Sequence, residues 1–147
     1  MKTVNHAFLI DDDAMINMIN TKMITISKLA KKVSCHTDAK EALEKLNQLW
    51  LTSPDEFPEI IFLDINMPDM DGWDFLNAFK QFPREALDRC KVIMLTSSID
   101  IFDIKKSKSF SIVNDYIIKP LKVKLLESLG SPKHKYFSIS QSTIEQL

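Results

Sequence analysis

Large apolar residues cluster along this chain in a few short runs: Ala7-Phe8-Leu9-Ile10, Ile60-Ile61-Phe62-Leu63, Val92-Ile93-Met94-Leu95 and Tyr116-Ile117-Ile118. Continuous apolar runs of this length predict strands buried on both faces, as in a parallel sheet. Val33 to His36 is a weaker candidate for a further strand. Between the runs the period changes from two to three and four, the mark of helices. Met15, Ile19, Met23, Ile26 and Ala30 form the apolar stripe of a first helix, with Asp13 placed to cap it. Ala39, Ala42, Leu43, Leu46 and Trp50 form that of a second, opened by Asp38 and Glu41 in a capping-box pattern. Pro54 and Pro58 mark a loop.

A third helix is predicted over Trp73 to Phe82, with Phe75, Leu76 and Phe79 inward, Asp71 as a candidate cap and Pro83 as its stop. Asp100 to Phe110 predicts a weak, lysine-rich helix anchored by Ile101, Ile104 and Phe102. Leu121, Leu125 and Leu129 mark a short last one. Strand then helix, repeated five times, predicts an α/β fold: a doubly wound five-stranded parallel sheet, flavodoxin-like, strand order 2-1-3-4-5, with helices on both faces.

Composition narrows the class. The 147 residues are 45% hydrophobic with net charge −1, which fits one soluble globular domain and not a disordered chain. The neutral balance argues against nucleic acid as a partner. The longest early apolar run is too short for a signal peptide or membrane span, so no membrane association is expected and the setting is read as cytoplasmic. Cys35 and Cys90 have no metal-ligand spacing and read as reduced packing residues. His6, His36 and His134 form no metal or relay pattern. With two glycines only, Gly72 and Gly130, a glycine-rich phosphate loop is excluded.

The candidate chemistry sits where the apolar runs end. Asp11 and Asp12 follow the first, Asp64 follows the Ile60 run, Thr96 and Ser97 follow the Val92 run, and Lys119 follows the last. Ligands bind at the carboxyl ends of the strands in open α/β sheets, so these residues should converge on one cleft. Carboxylates in close company raise one another's pKa and call for a cation. Lys119 is one candidate and magnesium another, since hard oxygen ligands without nearby histidine or thiol suit it. Magnesium shares its site readily with phosphate, and a carboxylate can itself accept a phosphoryl group. The turn after Asp64 is marked by Pro68 and by Gly72, read as a residue of permissive dihedrals.

At these residues the chain resembles the receiver domain of two-component response regulators. The resemblance rests on Phe8-Leu9-Ile10-Asp11-Asp12-Asp13, Leu63-Asp64-Ile65-Asn66-Met67-Pro68-Asp69-Met70-Asp71-Gly72, Met94-Leu95-Thr96-Ser97 and Tyr116-Ile117-Ile118-Lys119-Pro120, and covers residues 5 to 129. It implies that Asp64 is the phosphoacceptor and that Asp12 binds magnesium directly, Asp11 directly or through water. The Asn66 carbonyl would complete the metal set. Thr96, with Ser97 beside it, and Lys119 would hold phosphoryl oxygens, and Tyr116 would be the aromatic whose rotamer reports activation. Asn66 and Ser98 match positions that tune the phosphate lifetime. In similar receivers the peptide before Pro120 is cis, which aims the lysine at the phosphate.

The implied function is a phosphorylation-controlled response regulator. It would take its phosphoryl group from a sensor histidine kinase and signal through a downstream protein. The alternatives are a phosphorelay intermediate serving a histidine phosphotransfer domain, a partner-binding receiver that uses no phosphate, and a magnesium-dependent phosphohydrolase. Such a hydrolase usually has a second carboxylate two residues past the nucleophile, where this chain has Asn66. No enzymatic activity is expected beyond self-phosphorylation and self-dephosphorylation. Residues 1–130 form the expected receiver, and 131–147 a tail without an output domain, in which Tyr136-Phe137-Ser138-Ile139 could add an edge strand or mediate self-association. Residues 105 to 135 carry eight lysines against Asp115 and Glu127, net +6, which predicts a basic face steering toward an acidic partner. Like-charged faces resist pairing, so a monomer or weak dimer is expected.

Overall fold

In the computed structural model, which describes residues 3–129, the strand-then-helix alternation builds one five-stranded, all-parallel sheet of order β2-β1-β3-β4-β5. The strands are β1 (Val4–Ile10), β2 (Ala30–His36), β3 (Ile60–Leu63), β4 (Lys91–Thr96) and β5 (Val113–Ile118). The helices are α1 (Ala14–Ser27), α2 (Ala39–Thr52), α3 (Gly72–Phe79), α4 (Arg84–Arg89), α5 (Ile101–Ser109) and α6 (Val123–Leu129), with a 3-10 turn at Pro54–Glu56. The predicted fold class and strand order hold.

Alternation along the strands divides the core in two. Phe8, Ile10, Ile61, Leu63, Val92, Met94 and Tyr116 face one side, where α2, α3, α4 and α5 pack. Ala7, Leu9, Ile60, Phe62, Ile93, Leu95 and Ile117 face the other, against α1 and α6. Because the central strands are covered on both faces, they read as unbroken apolar runs. β2 lies at an edge and is largely exposed, and so its sequence was the weakest strand signal and its start at Ala30 was missed.

Several elements differ from expectation. The third helix ends at Phe79, not Phe82, and Pro83 starts a short helix, α4, too brief to show a period. Phe82 still packs, its ring 5.0 Å from Phe79 and 6.4 Å from Phe57. In α5 Ile104 is buried and Ile101 packs against the same core, as expected, with Ser107 buried beside them, whereas Phe102 is 78% exposed. Cys90 is buried, but Cys35 is exposed on the edge strand. The largest departure is α1. Its buried residues are Asn17, Asn20, Ile24 and Ser27, whereas Met15 and Ile26 of the predicted stripe are 66% and 64% exposed, and Ile19 is exposed too. Residue 30 lies in β2 instead. Steps of three and four set the Asn17 face opposite the Met15 face.

The expected tail, Gly130 and His134 fall outside the described residues, so the tail's proposed strand or association surface lies there too.

Candidate functional site

The acid-bearing loops are built by local rules. β1 stops as Asp11 N–H donates to the His36 carbonyl (3.1 Å), and Asp13 turns the chain into α1. The Asp13 carboxylate accepts from Met15 N–H (2.9 Å) and Ile16 N–H (3.2 Å), an N-cap as predicted. The Asp11 side chain is oriented by Asp13 N–H donating to Oδ1 at 2.9 Å. Its carbonyl accepts from the Asn17 amide at 2.9 Å.

Asp64 follows the last residue of β3, its N–H donating to the Ile10 carbonyl (2.9 Å) and its own Oδ1 accepting from Ile65 N–H (2.8 Å). The turn that follows returns to the strand end. Gly72 N–H donates to the Ile65 carbonyl at 2.8 Å. The glycine is required here for space: a Cβ on it would lie 2.5 Å from the Asp64 carbonyl oxygen and 2.9 Å from Ile65 Cα. The left-handed residue of the turn is Asp69 (φ 66°), so the dihedral demand expected of Gly72 falls on a different residue. Asp71 then caps α3 in a reciprocal box with Asp74, at 2.9 and 3.2 Å.

The strand order brings the ends of β1, β3, β4 and β5 side by side, and four of the predicted residues meet. Carboxylate oxygens of Asp11, Asp12 and Asp64 lie within 4.8 Å of one another. Asp11 and Asp64 are buried and Asp12 is exposed. The Lys119 ammonium donates to Asp11 Oδ2 and stands 3.4 Å from Asp64 Oδ2. The Lys119–Pro120 peptide is cis, and Lys119 N–H donates to the Thr96 carbonyl (2.9 Å), tying β5's end to β4's. Thr96 is fully buried. Asn66 and Ser97 are exposed on the loops that follow Asp64 and Thr96.

The electrostatics follow from this crowding. Burial pushes the Asp64 carboxyl above its ordinary value, Lys119 pulls it down and Asp11 pushes it up again; the Thr96 hydroxyl and Ile65 N–H also favour the charged form. The upward effects win. For Lys119, burial favours the neutral amine, but the bond to Asp11 and the charges of Asp64 and Asp11 outweigh it and hold the ammonium above its ordinary pKa. A buried carboxyl with a raised pKa beside a charged lysine at a strand end marks a candidate functional group. Three hard oxygen donors with an exposed member also suit a divalent ion such as magnesium.

Tyr116 is buried on β5, and its hydroxyl donates to the Ser98 carbonyl at 2.9 Å. Burial raises its phenol to about 12, so it stays a donor at neutral pH. Ser98 donates to Asp103 at 2.6 Å and accepts from Asp100 N–H, joining the loop after Thr96 to α5. Sequence reasoning missed Asn17 and Asn20. Both are buried beneath the acids, where a helix face was expected to be apolar. The signal was there, as two amides three residues apart just past the acidic turn.

Comparison with known proteins agrees with this geometry. The family model described as response regulator receiver domain matches residues 7–129. Protein PilG of Pseudomonas aeruginosa is 35% identical over 114 residues, covering 74% of this chain and 75% of PilG. The crystal structure of a two-component response regulator from Cytophaga hutchinsonii superimposes with a TM-score of 0.79 at 33% identity, covering 87% of this chain and 95% of that one. That of a phosphorylated cyanobacterial phytochrome response regulator, RcpA, gives 0.64 at 28%, covering 87% and 89%. The chain spans less than half the length of the first curated relatives it matches, from 7% to 44%. With the sheet order, the converging strand ends and the matched residues in agreement, the chain belongs to the response regulator receiver domain family of two-component signal transduction.

Proposed function

We propose that Asp64 accepts a phosphoryl group from the phosphohistidine of a sensor histidine kinase, and that the modified chain signals by binding another protein. The observation that carries this reading is the placement of Asp64. It is buried at a strand end, 3.4 Å from the Lys119 ammonium and within reach of two further carboxylates. In the step itself an Asp64 carboxylate oxygen forms a bond to phosphorus as the P–N bond to imidazole breaks. The imidazole leaves with the electron pair and takes a proton from solvent. Hydrolysis reverses the state: water attacks phosphorus, the aspartyl C–O–P link opens at phosphorus, and carboxylate and inorganic phosphate remain.

Asp11, Asp12, Asp64 and the Asn66 carbonyl would hold magnesium. When bound, the ion supplies positive charge to phosphoryl oxygens. Lys119 holds a phosphoryl oxygen from the other side, and its raised pKa keeps that charge at neutral pH. Thr96 offers its hydroxyl, with Ser97 beside it. When Thr96 turns to the phosphoryl group, the loop to Ser98 moves with it, and Tyr116 feels that movement through its bond to the Ser98 carbonyl. The output surface is α5 with the start of α6, where Lys105, Lys122 and Lys124 are exposed to an acidic partner. Among the described residues no helix is long and apolar enough to cross a membrane, and a histidine-kinase donor places the exchange in the cytoplasm.

The test is intact mass spectrometry after incubation with acetyl phosphate and magnesium, then with a phosphorylated kinase as donor. A single phosphoryl adduct that disappears with chelator and in Asp64→Ala supports the reading. An adduct that persists in Asp64→Ala, or no adduct from either donor, refutes it.

A further inference from the structure

Helix α1 is packed against the pattern of its own sequence. Met15, Met18, Ile19 and Ile26 stand in solvent, while Asn17 and Asn20, at 2% and 4% exposure, are pressed against the apolar sheet face. That choice is unfavourable. Asn17 Oδ1 and Asn20 Nδ2 are buried without a hydrogen-bond partner, and a buried polar atom left unpaired is destabilising. The two amides line a narrow space of about 150 Å³ together with Asp11, Asp64, Leu9, Phe62 and Leu95. A fold that buries two imperfectly paired amides beside available methionine and isoleucine retains them for something other than stability.

What they touch identifies that use. Asn17 Nδ2 donates to the Asp11 carbonyl at 2.9 Å, so its side chain ties the first turns of α1 to the backbone of the acidic turn. Asn20, one turn further along the same face, lines the same space as Asp11 and Asp64, and its Nδ2 has no hydrogen-bond partner. Lys119 supplies the other support of Asp11 from above. We propose that Asn17 and Asn20 are positioning residues of the acidic site: the buried amide pair holds the Asp11–Asp12 turn at the spacing from Asp64 that a divalent cation requires. Groups that orient metal ligands in this way typically contribute 10- to 100-fold to metal affinity. This rests on the reading of Asp11, Asp12 and Asp64 as a magnesium site, but not on phosphoryl transfer.

Two measurements on each variant decide it: the magnesium dissociation constant by calorimetric titration with magnesium chloride alone, and the thermal midpoint without metal. Asn20→Leu removes an unpartnered buried donor, so its midpoint should rise while magnesium binding weakens about 10- to 100-fold. Asn17→Leu should weaken binding by a similar factor. Unchanged magnesium affinity in Asn20→Leu overturns the proposal, because the amides are then only a defect of the core. Weakened affinity with a lowered midpoint overturns it as well, because binding then falls only with the fold. Wild-type protein that binds magnesium yet takes no phosphoryl group refutes the functional reading above and leaves this one standing.

Discussion

Gly72 shows how narrowly single residues set this site. Its missing Cβ lets α3 begin against the backbone of Asp64 and Ile65, and so the turn can fold back over the end of β3. Gly72→Ala should destabilise by about 1–3 kcal/mol, the usual result of forcing an atom into filled space; chemical denaturation reads this directly, and an unchanged midpoint would mean that the turn can yield. His6 is a second such residue. Its Nδ1 donates to the Glu56 carbonyl at 2.6 Å and its Nε2 accepts from the Ser34 hydroxyl at 2.7 Å, since a carbonyl can only accept. Burial holds its pKa below 6.5, the Glu56 carbonyl opposes that shift and the Lys32 charge adds to it. A depressed histidine binds its proton more readily when unfolded. Its contribution is therefore whole above about pH 6.5 and is lost as pH falls through the folded value. His6→Gln should flatten the decline of stability below that pH; an unaltered profile would assign the decline to other groups. From sequence His6 was featureless, because its partners are a backbone carbonyl 50 residues away and a hydroxyl on the edge strand.

Among the elements, the strands were legible and α1 was misread, for one physical reason. A strand buried on both faces is apolar at every position, so β1, β3, β4 and the end of β5 announce themselves without regard to orientation. A helix is read by assuming that its apolar stripe faces inward, and α1 breaks that assumption: Ile24 is buried while Met15, Ile19 and Ile26 are not. The observed orientation predicts a sharp contrast. Ile24→Ala should cost about 2–5 kcal/mol, whereas Met15→Ala and Ile26→Ala should stay within about 0.5 kcal/mol. Large losses at Met15 and Ile26 with a small one at Ile24 would mean that the helix is turned the other way. Helix caps were more dependable than stripes. Asp13, Asp38 and Asp71 each accept from the first turn of the helix they were expected to open, because capping is settled within four residues. The helix α4 escaped notice because six residues complete fewer than two turns.

At the scale of the whole molecule, the site exists because the strand order places four chain segments at one end of the sheet. Asp11, Asp64, Thr96 and Lys119 are separated by up to 108 residues, and only the crossovers bring Lys119 onto Asp11. That convergence was legible, since strand-end chemistry in a doubly wound fold has one place to go. Its electrostatic balance was not: that Asp64 is shifted up while Lys119 stays charged follows from burial depth and spacing, which no motif contains. The basic segment was read correctly as charge but too simply as a face, because Lys119 belongs to the acidic site and Lys106 lies over the Trp73 ring at 4.8 Å. Of the clustered carboxylates, Asp64 is the one we propose to carry the phosphoryl group. Borohydride reduction of the phosphorylated chain converts an aspartyl phosphate to homoserine, and tandem mass spectrometry of the resulting peptides locates it. Homoserine is expected at position 64 and nowhere else; homoserine at position 11 or 12, or reduction at several acids, would place the phosphoryl group on another carboxylate.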